Sequence, residues 1–296
     1  MRYATAVDSL MTGRTEMSDK QRTAIVTGAA GGIGRALVRG LLEAGIRVAA
    51  VDRTHDGLDA VAKAAREEGR DASLLTIEAD LSRDAAISDI VGQARGRFGE
   101  IDILVNNAGV GQATLRPGNW QQPLRFWEIT ADQWRNFVAV HTTAPLLLAQ
   151  AVVPEMRERK WGGIVNITTS LGTMIRSSSP TYGPSKAALE AFSAIMAKDL
   201  EGTGITVNVL VPGGVTNTPM VPNEAGFDRQ EMIQPAVMAP PLVWLLSDAA
   251  QGVSGRRFLA VHWDAKLPSA QAAETAGAPV AWTGIATMPI EPPRRH

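Results

Sequence analysis

The stretch that most limits what this chain can become is Gly28-x-x-x-Gly32-x-Gly34. It lies between a short apolar run, Arg22–Thr27, and a segment, Gly32–Ala44, whose Ile33, Leu37, Leu41 and Leu42 recur at helical spacing. The apolar run reads as a buried strand. A strand, a glycine turn and a helix in that order leave free backbone N–H groups and a helix N-terminus facing one point, where a phosphate is held. Glycines alone would suit any tight turn; their context points to a dinucleotide. The alternation then continues: Ile46–Val51 reads as a strand ending at Asp52, Asp56–Gly69 as a helix with a glycine stop, and Ser73–Ile77 as a strand followed by Asp80-Leu81. Ala85–Phe98 reads as a helix, and Ile101–Val105 as a strand running into Asn106-Asn107-Ala108-Gly109. Such alternation predicts a single doubly wound α/β domain around a parallel sheet of about seven strands.

Asp52 bears on the choice of dinucleotide. A carboxylate at the end of the second strand accepts hydrogen bonds from a ribose diol and repels a 2′-phosphate. Gly31 precedes Gly32, so no Arg or Lys waits there for that phosphate. Both features favour NAD over NADP. Arg53 counts the other way, since a guanidinium there can pair with a 2′-phosphate or stack on adenine.

Farther along, Thr181–Lys186 reads Thr-Tyr-Gly-Pro-Ser-Lys. On a helix, Tyr182 and Lys186 share one face, one turn apart. An ammonium close to a phenol favours the phenolate and draws the Tyr pKa down from about 10, towards the range of a general acid/base. Taken alone, Tyr-x-x-x-Lys is usually a surface Tyr beside a solvated Lys. Here it follows Thr27-Gly28-Ala29-Ala30-Gly31-Gly32-Ile33-Gly34, Asp52, Asp80-Leu81, Asn106-Asn107-Ala108-Gly109 and Val165-Asn166-Ile167-Thr168-Thr169, and it precedes Pro212-Gly213. In that order and near those spacings, the chain resembles the classical short-chain dehydrogenases/reductases over roughly residues 21–261.

The resemblance implies a Rossmann-like fold and an NAD(P)-dependent oxidoreductase that interconverts a secondary alcohol and a ketone. It implies cofactor contacts at Thr27, Gly28, Gly32, Ile33 and Gly34, at Asp52 and Arg53, and at Asp80 and Leu81 beside the adenine. Others are implied at Asn107, Ala108 and Gly109, at Tyr182 and Lys186, and at Pro212, Gly213 and Val215. Among Thr216, Asn217 and Thr218, the Thr-x-Met pattern of the family points to Thr218 for the carboxamide, with a one-residue insertion. The family's catalytic Ser lies thirteen residues before its Tyr, which is Thr169 here. Thr carries the same hydroxyl; Ser170 is the minor alternative, expected to point the other way on a strand end. The family's catalytic Asn, which holds a water linking the Lys to solvent, is matched by His141. An imidazole can also hold water and titrates near neutrality, so His141 is expected in a proton relay. The catalytic set is therefore Thr169, Tyr182, Lys186 and His141.

The remaining stretches add context. Val110–Thr130, with Trp120, Phe126 and Trp127, is longer than the family's link and reads as a lid, a contact surface, or an insertion packing on its own domain. Ala131–Arg159 reads as one long helix with Pro145 and Pro154 as possible kinks, and Gly163–Ile167 as the fifth strand. Tyr182–Glu201 reads as a helix made small-sided by Ala187, Ala188, Ala191, Ala194 and Ala197. With the preceding long helix it implies, by resemblance, a homotetramer or dimer. Ile205–Val211 reads as a strand. Pro219–Pro241 occupies the place of the family's substrate loop, and its apolar residues, with Met174 and Ile175, hint at a hydrophobic or alicyclic substrate. Leu242–Leu246 reads as a short helix and Arg257–Val261 as the last strand; residues 1–20 read as a flexible leader and 265–296 as a tail.

Composition narrows the rest. At 45% hydrophobic and 20% charged the chain can bury a large core, and a net charge of −1 carries no basic excess for nucleic acid or a membrane surface. It has no cysteine, which excludes disulfides, thiolate chemistry and Cys-ligated metal. No metal-ligand cluster is visible, and no apolar run is expected to reach the ~18 residues of a membrane span. A cytoplasmic enzyme is the expectation. Two other classes stay open at this stage: a dinucleotide-binding regulatory protein with little turnover, motivated by His141 and Thr169, and a dehydratase or isomerase on the same scaffold.

Overall fold

Strand β1 (Thr23–Thr27) is buried at all five positions, as a strand covered on both faces must be. The computed structural model describes residues 21–283 and continues with α1 (Gly32–Glu43), β2 (Arg47–Asp52), α2 (His55–Glu67), β3 (Leu74–Glu78), α3 (Ala86–Phe98) and β4 (Ile103–Asn106). After a long connection come α4 (Ala131–Val138), α5 (Ala144–Arg159), β5 (Gly162–Ile167), the short α6 (Leu171–Met174), α7 (Tyr182–Asp199) and β6 (Ile205–Val211). The described chain ends with α8 (Ala239–Leu245), β7 (Arg256–Leu259), α9 (Ser269–Ala276) and β8 (Gly277–Pro279).

The strands form one sheet in the order β3-β2-β1-β4-β5-β6-β7-β8. Strands β1 to β7 are parallel and β8 is antiparallel to β7. Helices cover both faces. Leu37, Leu41, Leu58, Leu242 and Phe258 fill one side, from α1, α2, α8 and the sheet; Ile90, Leu148, Val152 and Met196 fill the other, from α3, α5 and α7. The strand order reverses between β1 and β4, which opens a crevice at their carboxyl ends. The Gly28 turn follows β1 and Asn107–Gly109 follows β4, so both motifs meet at that crevice.

Three departures from the sequence reading are physical in origin. The long helix is interrupted by a π-turn, Ala139–Thr143, centred on His141. Ala131–Arg159 is nonetheless, by length and composition, long and apolar enough to cross a membrane, the single such helix among the described residues. The sequence reading missed it because Thr142, Thr143 and Gln150 break the apolar run without adding charge. Its Phe137, Leu148, Val152 and Met156 are buried in the domain.

The third departure is at the C-terminal end. Residues expected as a tail form α9 and β8, with Arg257 paired to Ala278 and Phe258 to Gly277. The helix is held by buried Ala272, Ala273 and Ala276. Small alanines let it lie close to β7, and such a face shows no large-apolar periodicity in the sequence. The expected leader, 1–20, and residues 284–296 lie outside the described residues.

Candidate active site

The glycine turn is built by close approach. Gly28 has φ +65°, and a Cβ there would stand 2.7 Å from Ala108 Cα. A Cβ on Gly34 would stand 2.0 Å from the Gly28 carbonyl oxygen, so α1 starts directly on the turn. Thr27 Oγ accepts the N–H groups of Asn107 (3.0 Å) and Ala108 (3.1 Å), while the Asn107 amide donates to the carbonyls of Thr27 and Gly28. The turn after β1 and the loop after β4 are thus locked together.

Beside them lies a cavity of about 140 Å³, lined by Gly28, Asp52, Arg53, Asp80, Leu81, Ala108, Gly109 and, from the long helix, Asn136 and Val140. Asn136 and Val140 were not foreseen. They sit four residues apart and so share one face of the helix, a face that His141 does not lie on.

Asp52 already works as an acceptor. One oxygen takes the Ala30 N–H at 3.0 Å, and the other takes the Thr54 N–H and hydroxyl at 3.1 and 2.8 Å. Asp80 binds the Ser82 N–H (2.9 Å) and hydroxyl (2.8 Å); these bonds, with lesser help from Arg53 and Arg83, hold its carboxyl below the usual range. Asp80 therefore shapes its own loop and does not cap α3, whose N-cap Ala85 has no side-chain bond. Ile33 packs against the core on the α1 side, leaving its backbone for the turn.

Of Thr216, Asn217 and Thr218, it is Thr218 that lies against the turn: its Cγ2 would meet a Cβ on Gly32 at 2.7 Å. The Asn217 amide is spent on Gln234 and receives Arg229, while Thr216 is buried. Gly213 has φ +104° and packs under Val261. Val215 lines a second cavity of about 230 Å³ with Phe227, Asp228, Glu231, Met232 and Ile233, and a bridge from Thr216 to Ile233 ties the 219–241 loop to the body.

The second half of the site joins β5 to α7. Thr169, just past the end of β5, acts on the Tyr182 phenol, and Lys186, one turn on, donates to the Ile167 carbonyl at 2.8 Å. Ser170 instead begins α6, its carbonyl accepting from Thr173 at 2.8 Å. Burial pushes the Tyr182 phenol above its ordinary value, and the Thr169 bond draws it part of the way back. The expected depression by Lys186 is thus not the dominant influence here. Burial lowers Lys186 itself from 10.5 to about 8, which weakens it as a fixed cation.

His141 is fully buried, with its ring edge-on to Tyr182 at a centroid distance of 5.4 Å. Nε2 accepts the Val110 N–H at 2.8 Å, which leaves the proton on Nδ1, 2.7 Å from Ser185 Oγ. Ser185 in turn donates to the Thr181 carbonyl at 2.8 Å. Burial first, then the Lys186 charge, hold the imidazole well below its ordinary pKa. The relay expected of His141 does not match this geometry. Both ring nitrogens are occupied by protein groups, so no ring atom is left to hold a water. The residue ties the loop after β4 to the start of α7.

The mouth is framed by the insertion and the substrate loop. Trp120 meets Phe227 edge-to-face at 5.1 Å, and the Arg176 guanidinium lies over Trp120 at 5.6 Å. Met220 reaches across to Gly109 and Gly111. Phe126 and Trp127 stack on each other but are about 70% exposed, so only part of the insertion packs on the domain.

A family model described as short chain dehydrogenase matches residues 22–227. The chain is 35% identical over 204 residues to a short chain dehydrogenase of Pseudocercospora fijiensis, a match covering 69% of this chain and 63%, a little under two thirds, of that protein. It is 31% identical to the cis-4-hydroxycyclohexanecarboxylate dehydrogenase of Sinomonas cyclohexanicum, covering 79% of this chain and 93% of the relative. A Beutenbergia cavernae crystal structure described as an NAD(P)-dependent gluconate 5-dehydrogenase, with NADP bound at low occupancy, superposes with a TM-score of 0.69 at 29% identity, over 82% of this chain and 95% of that one.

Proposed function

Because the chain belongs to the short chain dehydrogenases, oxidoreductases that act on CH–OH donors with NAD(P), we propose that it interconverts a hydrophobic or alicyclic secondary alcohol and its ketone, using NAD in preference to NADP. The observation that carries the reading is the placement of Tyr182 and the buried Lys186 one turn apart on α7, with Thr169 at the end of β5 acting on the phenol.

The crevice fits a dinucleotide. A Cβ at Gly28, Gly32 or Gly34 would strike Ala108, Thr218 or the Gly28 carbonyl, so only glycines keep this turn close, and backbone N–H groups at the start of α1 suit a pyrophosphate. Asp52 and the neighbouring Arg53 would take the adenosine ribose, Asp80 and Leu81 with Val140 the adenine side, and Thr218 the carboxamide end. Asp52 supports NAD, since a 2′-phosphate beside its carboxylate would be repelled. When bound, the dinucleotide accepts a hydride in oxidation and returns it in reduction.

The chain's own residues handle the proton. In reduction, the neutral phenol that burial favours donates its proton from Tyr182 Oη to the oxygen of the forming alcohol. The Thr169 hydroxyl donates to that same oxygen and polarises the carbonyl. In oxidation the phenolate takes the hydroxyl proton, with the Lys186 ammonium one turn away supporting the anion. His141 keeps Val110 and Ser185 in place around this pair.

The apolar mouth supports the substrate class. Met220 and Phe227 are each about 40% exposed there, and Ile175, next in sequence to Arg176, is 88% exposed. The Sinomonas relative, by its name, acts on a hydroxylated cyclohexane ring. Ile195 on α7 is also exposed and, with the alanines beside it, supports a homo-oligomer.

Tyr182→Phe tests the reading. Turnover falls by roughly 10²–10⁴-fold, while NADH affinity, read by nicotinamide fluorescence, stays within about twofold. Turnover retained in that variant would overturn the role given to Tyr182.

A further inference from the structure

Three successive residues at the end of β5 are each tied to groups beyond their strand. The Ile167 carbonyl accepts from Lys186, the Thr168 hydroxyl donates to Glu190 Oε2 at 2.6 Å, and the Thr169 carbonyl accepts from Arg257 while its side chain acts on the Tyr182 phenol. Tyr182, Lys186 and Glu190 recur every four residues, so α7 presents one face to this strand end. Glu190 is wholly buried. Its carboxylate is met by Arg257 Nε at 3.0 Å, and that same guanidinium reaches over with Nη2 to the Thr169 carbonyl at 3.1 Å. A third donor to the carboxylate, the Ala281 N–H at 3.0 Å, joins Arg257 on Glu190 Oε1. Ala281 stands at φ +56°, a left-handed conformation uncommon for a residue with a Cβ, with its N–H directed at the carboxylate.

We propose that Arg257 and Glu190 are positioning residues: Arg257, anchored by Glu190, holds the Thr169 backbone so that its hydroxyl meets Tyr182. The inference rests on the roles given above to Thr169 and Tyr182. Neither Glu190 nor Arg257 reaches the reacting atoms; they act through Thr169. A planar guanidinium forks between two acceptors, which an ammonium on a single-ended chain does not do. Without the fork, Thr169 keeps its hydroxyl but loses the anchor on its carbonyl, and small misplacements of a reacting group are costly in rate.

The test compares Arg257→Lys, Arg257→Met and Glu190→Gln in the full chain. Arg257→Lys keeps the charge opposite Glu190, so its melting temperature recovers most of what Arg257→Met loses. Its kcat nevertheless stays roughly tenfold or more below the parent, with the KM for the dinucleotide unchanged. The pH at which oxidation reaches half its maximum moves upward, because the Thr169 bond that favours the phenolate is weakened. The groups facing Tyr182 in that titration are Thr169, Lys186 and His141, and the variants leave all three in place. Glu190→Gln preserves shape and follows the same pattern more mildly. Full kcat and an unmoved pH profile in Arg257→Lys would overturn the proposal, leaving the pair as a structural ion pair. The Tyr182→Phe variant separates the failures: if it retains turnover, the site assignment itself is wrong, whereas if it is inactive beside a fully active Arg257→Lys, only the positioning inference falls.

Discussion

Replacing Lys186 with Met is predicted to make the protein more stable and nearly inactive. Lys186 is 3% exposed, and burial lowers it from 10.5 to about 8. At 1.36 kcal/mol per pH unit, holding the ammonium in the fold at pH 7 costs about 3 kcal/mol. Met fills similar volume without that charge. Against the gain stands the Ile167 carbonyl, which loses its donor at a cost of about 1–3 kcal/mol. The net at pH 7 is a gain of about 0–2 kcal/mol.

The pH dependence is firmer, because the carbonyl's cost cancels from it. As pH falls below 10.5 the unfolded chain takes up the proton while the folded chain does not, so the parent loses stability down to about pH 8 and little below. The variant lacks this loss. Integrating both titrations, the gap between the two should shift by about 2 kcal/mol in the parent's favour between pH 7 and 9.5. Denaturant unfolding of both proteins at pH 7, 8.5 and 9.5 measures it. A gap independent of pH would refute the argument, since it would mean that Lys186 is charged in the folded state at no cost.

Other outcomes follow from the same geometry. Thr169→Val removes the hydroxyl that would donate to the substrate oxygen, so kcat should fall by about 10²–10³ while Thr169→Ser stays near the parent; steady-state kinetics check both. His141 is held neutral in the fold, so below about pH 6.5 the unfolded chain alone gains that proton and stability falls as pH falls. His141→Gln should flatten this acid limb, by about 1.4 kcal/mol per pH unit, in melting curves between pH 7 and 5. Asp52→Asn removes the carboxylate that repels a 2′-phosphate, and the ratio of kcat/KM for NADP over NAD should rise at least tenfold if the charge rather than the hydrogen bonds sets the preference.

The doubly wound fold was legible because each strand–helix boundary carries its own punctuation. The Gly28 turn, the glycine stop after α2 and the buried runs of β1, β2 and β6 all sit within a residue or two of where periodicity placed them. The strand order that puts Gly28 beside Ala108 is not written locally, but the two glycine-bearing loops only make sense at a reversal of the sheet. What sequence patterns did not reveal depends on neighbours far along the chain. The C-terminal α9 is held by alanines, which have no large-apolar signature. His141 reads as a titratable, solvent-linked group until Val110 and Ser185 are seen to occupy both its nitrogens. Tyr182 and Lys186 were located by their spacing together with the motifs before and after them, yet the direction of the Tyr shift is set by burial, which neither reports. Glu190 and Arg257, sixty-seven residues apart, join only once β7 lies beside β6.

The most direct test of the central claim is absorbance at the reduced-nicotinamide band. Purified protein is mixed with NAD or NADP against cyclic, aromatic and open-chain secondary alcohols and sugar alcohols. The account predicts turnover with NAD in preference to NADP, greatest with alicyclic alcohols, and rising with pH as Tyr182 ionises. No turnover with any alcohol, while NADH still binds, would contradict it and leave a dinucleotide-binding protein whose Tyr182 and Thr169 do no chemistry.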